Sequence, residues 1–368
     1  MNAEEIIRRY ECDGLFSRII DAPAEEAVKH GIALNGNGAA YCEAALDRLE
    51  WGQVFITGVE WARLFGGSIA VMLINDGRGL EEPLNLPGVR SIDGLRVYEL
   101  PLLQDVGARY EVLSMYGAFQ VHKSRCLVFR NGVMPENAKN RQYELWGVPE
   151  YERIEAAITR AETAHSNAAR MLDRSIQAVY RMRGLEDVLA TEDGESLVMR
   201  RLQVLDMARS ILNTTLIDAE GEDCYTLSAY PANVGEVLTA SRLFLSGVSN
   251  IPYKLLFGKS PSGFKNTDDT SMEIYYNYVE SIQHSMIKDN LRRLLSVVSL
   301  VGINTGAIAA PCTSFKFRPL WSTDALEEAE SQQYKAAAEL DRAKALQAYV
   351  SCGALKREDV RRAMRRGR

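Results

Sequence analysis

A run of helical periodicity too long to fit inside a small domain constrains this chain more than any other feature. Ile274, Tyr278, Ile282 and Met286, then Leu291, Leu294, Leu295 and Val298, recur at helical spacing, with Glu273, Asn277, Glu280, Lys288 and Arg292 on the opposite face. Thr270 and Glu273 have the spacing of a capping box, so the helix is expected to begin at Thr270. At about 1.5 Å per residue it spans about 40 Å, the width of a whole domain. The segment before it, Pro252 to Asp269, holds Pro252, Pro261, Gly258 and Gly263 together with Lys254, Lys259 and Lys265. It predicts a mobile, basic loop without a regular element. Loops of that length inside compact domains are usually functional or disordered.

Gly258-Lys259-Ser260 has the look of the end of a phosphate-binding loop, but the spacing fails. Backbone amides wrap phosphates only if a glycine stands five residues earlier, where this chain has Tyr253, and no strand precedes it. A solvated surface loop is the plain alternative. With 368 residues, 46% hydrophobic and 25% charged, the chain can bury a large core in two or three domains. Its net charge of −6 gives no global basic field, so contact with nucleic acid would have to come from local clusters. The end of the chain is one, with Lys356, Arg357, Arg361, Arg362, Arg365, Arg366 and Arg368 against Glu358 and Asp359. Its plain reading is a helix end whose arginines suit the negative terminus. The cysteines, Cys12, Cys42, Cys126, Cys224, Cys312 and Cys352, form no CxxC and have no histidine at ligand spacing, so reduced core thiols are expected rather than zinc or disulfides. The acidic N-terminus lacks an apolar leader and no run approaches a membrane span, so a cytosolic product is expected.

Residues 1–64 read as helices punctuated by Pro23 and the Asn35-Gly36-Asn37-Gly38 turn. Strands are expected at Ser68 to Ile74, closed by an Asn75-Asp76-Gly77 turn, and at Leu95 to Leu100, Arg109 to Met115, Phe119 to Val121 and Cys126 to Arg130. Together they make an α+β block with a mostly antiparallel sheet. A helix opens at Pro149 and is expected to run to about Arg183, with His165 on its apolar stripe as a packed residue. Further helices follow Asp193-Gly194 and run from Val234 to Leu245, with a hairpin of Thr215 to Ile217 and Cys224 to Leu227 between them. Gly302 to Pro319 reads as loop, followed by a charged helix from about Asp324 to Val350 and a short basic helix.

Several motifs then stand in a familiar order: Gly14-Leu15-Phe16-Ser17-Arg18-Ile19-Ile20-Asp21-Ala22-Pro23, Arg63-Leu64-Phe65-Gly66-Gly67-Ser68, and Val121-His122-Lys123-Ser124-Arg125 before Val128-Phe129. Leu255-Leu256-Phe257-Gly258, Ser260-Pro261-Ser262-Gly263, Tyr275-Tyr276, Phe317-Arg318-Pro319-Leu320-Trp321 and Gly353-Ala354-Leu355 with Val360-Arg361 complete the series. Over nearly its whole length the chain resembles a tailed-bacteriophage portal protein, of the group related to the portal-like N-terminal domain of anti-CBASS fusion proteins. The resemblance implies an α+β portal-type subunit: a wing over 1–190, stem helices with a small clip hairpin about 215–228 within 191–250, and a tunnel loop and long tunnel helix over 251–300. A wing return and a short helical crown would fill 301–368. The clip is very short, and Asp268-Asp269 stands where a glycine is expected after the loop.

The resemblance further implies a ring, usually of twelve copies, at one capsid vertex, through which double-stranded DNA is packaged and ejected. The partners it implies are the major capsid protein, the terminase motor, tail adaptor proteins and DNA without sequence specificity, with no membrane, cofactor, metal or catalytic residue. Its setting would be the virion, and the host cytoplasm during assembly. Lys254, Lys259 and Lys265 would line the DNA channel. Thr215, Leu216, Ile217, Tyr225 and Leu227 would form the clip contact between copies, and Arg361, Arg362, Arg365 and Arg366 a DNA or partner contact. The alternative is a phosphoesterase-related or DNA-binding phage protein acting against host defence. Phosphoesterases of the fused type need two His-x-Ser/Thr motifs, and only His122-Lys123-Ser124 has that form.

Overall fold

The computed structural model describes residues 2–115, 117–132, 146–174, 176–212, 222–228, 233–258, 268–312, 314–321 and 344. Helix α1 (Ala3–Cys12) starts at a capping box, in which Asn2 Oδ1 accepts from Glu5 N–H at 2.8 Å and Glu5 Oε2 accepts from Asn2 N–H at 3.0 Å. Helix α2 (Gly14–Lys29) carries Pro23 inside it. Then come β1 (Ile32–Asn35), α3 (Ala39–Arg48), α4 (Trp51–Phe65) and β2 (Gly67–Asn75). The strands β3 (Ser91–Glu99), β4 (Leu103–Val106), β5 (Arg109–Ser114), β6 (Gly117–His122) and β7 (Cys126–Arg130) follow. The middle holds α5 (Glu150–Arg174), β8 (Ile176–Met182), α6 (Leu185–Leu189), α7 (Gly194–Leu212), β9 (Glu222–Ser228), α8 (Val234–Ser249) and α9 (Tyr253–Phe257). The last described elements are α10 (Asp268–Ile282), a π turn (Gln283–Ile287), α11 (Lys288–Asn304) and β10 (Ser314–Phe317).

Several expectations need correction. Asn75-Asp76-Gly77 does not close a tight hairpin: Gly77 takes φ +78° but opens a loop that ends only at β3. The helix from Pro149 stops at Arg174, and β8 occupies residues expected to be helical; Ile176, Val179 and Tyr180 in it are the β-branched and aromatic types that favour strands. Gly302 to Pro319 is not all loop, because β10 pairs antiparallel with β1 in the register Ile32↔Phe317 to Asn35↔Ser314. Thr270 is not a cap, since α10 already begins at Asp268. The charged helices expected after Asp324 lie outside the described residues.

The chain divides into two compact units. In residues 21–147 and 270–368, two antiparallel sheets, ordered β3-β2-β7 and β4-β5-β6, enclose Ile69, Val71, Tyr110, Val112, Val121, Cys126 and Trp146. Helix α4 packs on β2 so closely that a Cβ on Gly58 would come within 2.7 Å of the Phe129 ring. Phe55 meets that ring edge-on at a centroid distance of 5.3 Å. Gly66, at φ +90°, ends α4 and aims its carbonyl at two donors, Asn131 N–H at 3.1 Å and Gly147 N–H at 2.9 Å. A Cβ on the neighbouring Gly67 would overlap the Trp146 ring.

The Val121–Arg125 motif acts as a clamp on the loop between β2 and β3. Arg125, fully buried, donates from Nε to Glu82 O at 2.9 Å and pairs through Nη2 with Asp76 at 2.8 Å. Burial pushes the Asp76 carboxyl up, but hydrogen bonds from Asn85 N–H, Arg125 and Arg78 N–H outweigh it and hold the group below the usual range. His122 Nδ1 accepts from Ser124 N–H at 3.1 Å, and Ser124 Oγ accepts from Leu84 N–H at 2.8 Å. His122-Lys123-Ser124 is therefore the cap of a short 3-10 turn.

The other unit comprises residues 1–20 and 148–269. Arg9 ties α1 to α5 through Glu162 at 2.7 Å, and Phe16 meets Tyr151 edge-on at 5.7 Å. Helices α5 and α8 pack together, with Arg160 over the Phe244 ring at 5.5 Å. Strands β8 and β9 form an antiparallel ribbon in which Val179 faces Tyr225 and Gln177 faces Leu227.

Two measurements check these contacts. Burial, then the repulsion of Asp21 and Glu25 on α2, pushes the Glu60 carboxyl of α4 up from 4.5 to about 7. The stability it contributes is present in full below pH 4.5 and lost as pH rises through about 7. Glu60→Gln is expected to match the parent near pH 4 and to exceed it near pH 8 by about 1–2 kcal/mol, after allowing for partial exposure; equal urea midpoints at both pH values would contradict it. His122 is held below its usual 6.5, first by burial and then by the charges of Arg109 and Arg125, so its cap is present above that pH and fades as pH falls through the folded value. Denaturation at neutral pH should show His122→Ala destabilised by about 1 kcal/mol, as for loss of a cap.

Candidate functional site

The long helix is the frame of the candidate site. Its buried side chains are Tyr275, Val279, Ile282 and Met286, and then Ile287, Leu291, Leu294, Leu295 and Val298. The expected stripe was one position off at its start: Ile274 is 60% exposed, and Tyr275 holds the buried place. The stripe steps forward by one residue at the π turn, because a turn closed by i to i+5 bonds holds one residue more than an α turn. That extra residue turns two polar side chains inward. Gln283 Nε2 donates to Ala27 O at 2.8 Å. Asn290 Oδ1 accepts from Val128 N–H at 3.0 Å while its Nδ2 donates to Val128 O at 2.8 Å, as one residue of a neighbouring strand would. The free edge of β7 is thus covered by a side chain. Arg293 adds bonds to the carbonyls of Lys123 at 3.3 Å and Ser124 at 2.9 Å.

Arg63 of α4, almost fully buried, donates to Tyr278 Oη at 2.6 Å. The adjacent Tyr276 meets Trp321 edge-on at 5.8 Å. These contacts explain the Arg63, Tyr275-Tyr276 and Trp321 motifs as anchors of the long helix. Sequence reasoning did not single out Gln283 or Asn290. The signal available was a polar side chain beside an apolar stripe.

Before the long helix, the expected loop gives way to α9, a correction to the reading that no regular element forms there. Pro252 precedes the first helical position, where proline is tolerated, and Gly258 ends the helix at φ +80° with its N–H on Lys254 O at 2.9 Å. The rings of Tyr253 and Phe257, one turn apart, meet at a tilt of 48° with centroids 4.7 Å apart, and Arg242 lies over Phe257 at 5.5 Å. Lys254 is exposed in the last turn of α9. Lys259 and Lys265 lie outside the described residues, as do Arg361, Arg362, Arg365 and Arg366 and the clip residues Thr215, Leu216 and Ile217. Tyr225 and Leu227 fall on β9, whose described partner is β8 rather than the expected 215–217 segment.

Helix α7 stands apart in its lack of cover. Leu197, Met199, Leu202, Val204 and Met207 are all more than 40% exposed, while Leu205 is its one large buried side chain among those described. At 100° per residue these positions fall all round the helix. Among the described residues no group of His, Cys, Asp and Glu could hold a metal ion, and no helix is long and apolar enough to cross a membrane.

The profile of the phage portal protein family matches residues 4–340. A relative from Sphingomonas paeninsulae named anti-CBASS protein Acb1 is 23% identical over 323 residues, covering 81% of this chain and 51% of its own. One of the same name from Caulobacter sp. (strain RHG1) is 26% identical, covering 76% and 48%. An uncharacterised Haemophilus influenzae protein is 26% identical, covering 70% and 59%. The chain spans about half the length of the curated relatives it matches. Among solved structures, a chain from the neck of a native gene transfer agent particle, computed with C12 symmetry, overlays with a TM-score of 0.53 at 12% identity, covering 91% of this chain and 89% of that one. A chain of the native gene transfer agent virion gives 0.50 at 11%, covering 92% and 89%. The fold is the one those particles use, and the chain belongs to the phage portal protein family.

Proposed function

We propose that this chain is the subunit of a homo-oligomeric ring at one capsid vertex, the conduit for double-stranded DNA and the seat of the packaging motor and tail. The observation that carries the ring is α7. An isolated helix of that length is marginal in water, and one with large apolar side chains on every side is a helix meant to be covered. Copies related by rotation cover it on both flanks without any other protein. The ribbon of β8 and β9 supports the same reading, since a two-stranded ribbon is marginal alone and an outer edge can pair with the neighbouring copy. We assign the clip to this ribbon, with Tyr225 and Leu227 at the contact, so that residues 176–182 join a part first expected to lie only at 215–228.

The long helix serves as the tunnel helix, and residues 258–267 before it as the tunnel loop. Lys254, Lys259 and Lys265, repeated by ring symmetry, make a cationic belt that touches phosphates without reading bases, while the acidic remainder of the chain discourages adhesion elsewhere. Lysine suits sliding because it is a point charge on a flexible stem rather than a bidentate fork. The four arginines Arg361, Arg362, Arg365 and Arg366 provide a second contact for DNA or an acidic partner. The capsid protein, terminase and tail adaptors are the partners of this reading, and the virion is its setting. The anti-defence reading has less support: it would need His122 and Ser124 to act on a substrate, whereas they bond each other and the loop at Leu84.

Native mass spectrometry of the full chain is expected to give a closed ring. A Leu197→Glu, Val204→Glu, Met207→Glu variant should give monomers, and rings formed normally by it would overturn the role of α7. Lys254→Ala, Lys259→Ala, Lys265→Ala should assemble rings normally yet shorten or lose packaged genomes; full-length genomes in that variant would remove the lysines from the channel.

A further inference from the structure

Cys42 on α3 and Cys312, two residues before β10, are buried at 0% and 1% exposure in the unit built from residues 21–147 and 270–368. They meet around one hydroxyl. Ser299 Oγ of α11 lies 3.7 Å from Cys42 Sγ, accepts from Cys312 N–H at 3.1 Å and donates to Cys312 O at 3.1 Å. The Cys312 thiol donates to Asn35 O at 3.5 Å, and the nearby Cys42 thiol helps to raise its pKa. Two cysteines far apart in sequence, joined through a shared serine, lie beyond the Asn35–Ser314 end of a weak join: β1 and β10 pair over only four residues, a ribbon too short to hold by itself.

We infer that Cys42 and Cys312 are an oxidative modification site, a dithiol that closes to a disulfide when the protein meets a peroxide, and so bolts β10 and the chain beyond it to α3. The step balances. One thiol, as thiolate, attacks a peroxide oxygen; the O–O bond breaks, a sulfenic acid forms and water leaves after protonation. The second thiol attacks that sulfur, the S–S bond forms and a second water leaves. Two thiols have then lost two protons and two electrons to the two oxygens of one peroxide. Burial, then the neighbouring Cys42 thiol, raises the Cys312 pKa, so the pair reacts slowly and stays reduced where thiols are kept reduced. Cys126, buried elsewhere and pushed up to about 12, owes none of that rise to a second described thiol. Its meaning in a released particle, outside a reducing cytosol, rests on the portal reading; the chemistry of the pair does not.

The test uses the full purified chain. Hydrogen peroxide is added, remaining thiols are alkylated under denaturing conditions, and the digest is mapped by mass spectrometry. The expected result is a Cys42–Cys312 linked peptide that dithiothreitol dissolves, with a melting temperature raised by oxidation and restored by reduction. Cys312→Ser and, separately, Cys42→Ala should both abolish the linked peptide and the shift, and the exposed Cys12 reports that oxidant reached the protein. Recovery of Cys42 and Cys312 as separately alkylated or sulfinic species, while Cys12 is oxidised, would overturn the assignment. Ring mass is read in the same samples, so failure of the portal reading and failure of the thiol pair are distinguishable.

Discussion

The two hydrogen bonds between the Asn290 carboxamide and the peptide of Val128 fix the long helix along its own axis. An apolar stripe alone tolerates sliding, because leucine and valine exchange neighbours at little cost. A side chain that must satisfy a donor and an acceptor at once does not, and leaving either group buried without a partner costs about 1–3 kcal/mol. The π turn is what brings Asn290 to that edge, since without its extra residue the polar position would rotate away from β7. Gln283 on Ala27 and Arg293 on the Lys123 and Ser124 carbonyls then hold the helix at neighbouring points along the same side. A local irregularity in one helix is thereby a global constraint on where its exposed face lies.

The two units solve the problem of stability differently. The one with the sheets holds most of the buried apolar side chains, and three of its charged residues, Arg63, Arg125 and Asp76, are enclosed with partners. The other leaves α7 almost bare, and among the described residues its ribbon has two strands. A single chain of this kind is complete in one half and waiting in the other. In the ring proposed above, stability of the second half would belong to the assembly and depend on subunit concentration.

Much of this organisation was legible in the sequence. β5, β6 and β7 were marked by alternation, α7 by the turn at Asp193-Gly194, and the long helix by its period. What was not legible has specific causes. β1 and β10 are four-residue strands whose pairing depends on a partner far along the chain, which local periodicity cannot see. β8 follows α5 with no glycine or proline between them, so the helical stripe ran on in the reading although α5 ends at Arg174 and β8 begins at Ile176. The Tyr275 stripe was misplaced by one residue because both Ile274 and Tyr275 can occupy a core, and only the π turn decides which does. The family resemblance reached the architecture, but Lys259, Lys265 and the basic end of the chain fall outside the described residues.

The carbonyl of Gly66 receives both Asn131 and Gly147, so the residues on either side of 133–145 are held at a single point. Whatever path residues 133–145 take, the unit holds the two ends of the excursion together and asks nothing of its length. Closure entropy grows only with the logarithm of loop length, about 0.6 kcal/mol for each doubling. Pinned ends make that position a port in the architecture, where a longer segment or an inserted tag would cost the sheet and the helix beside it little.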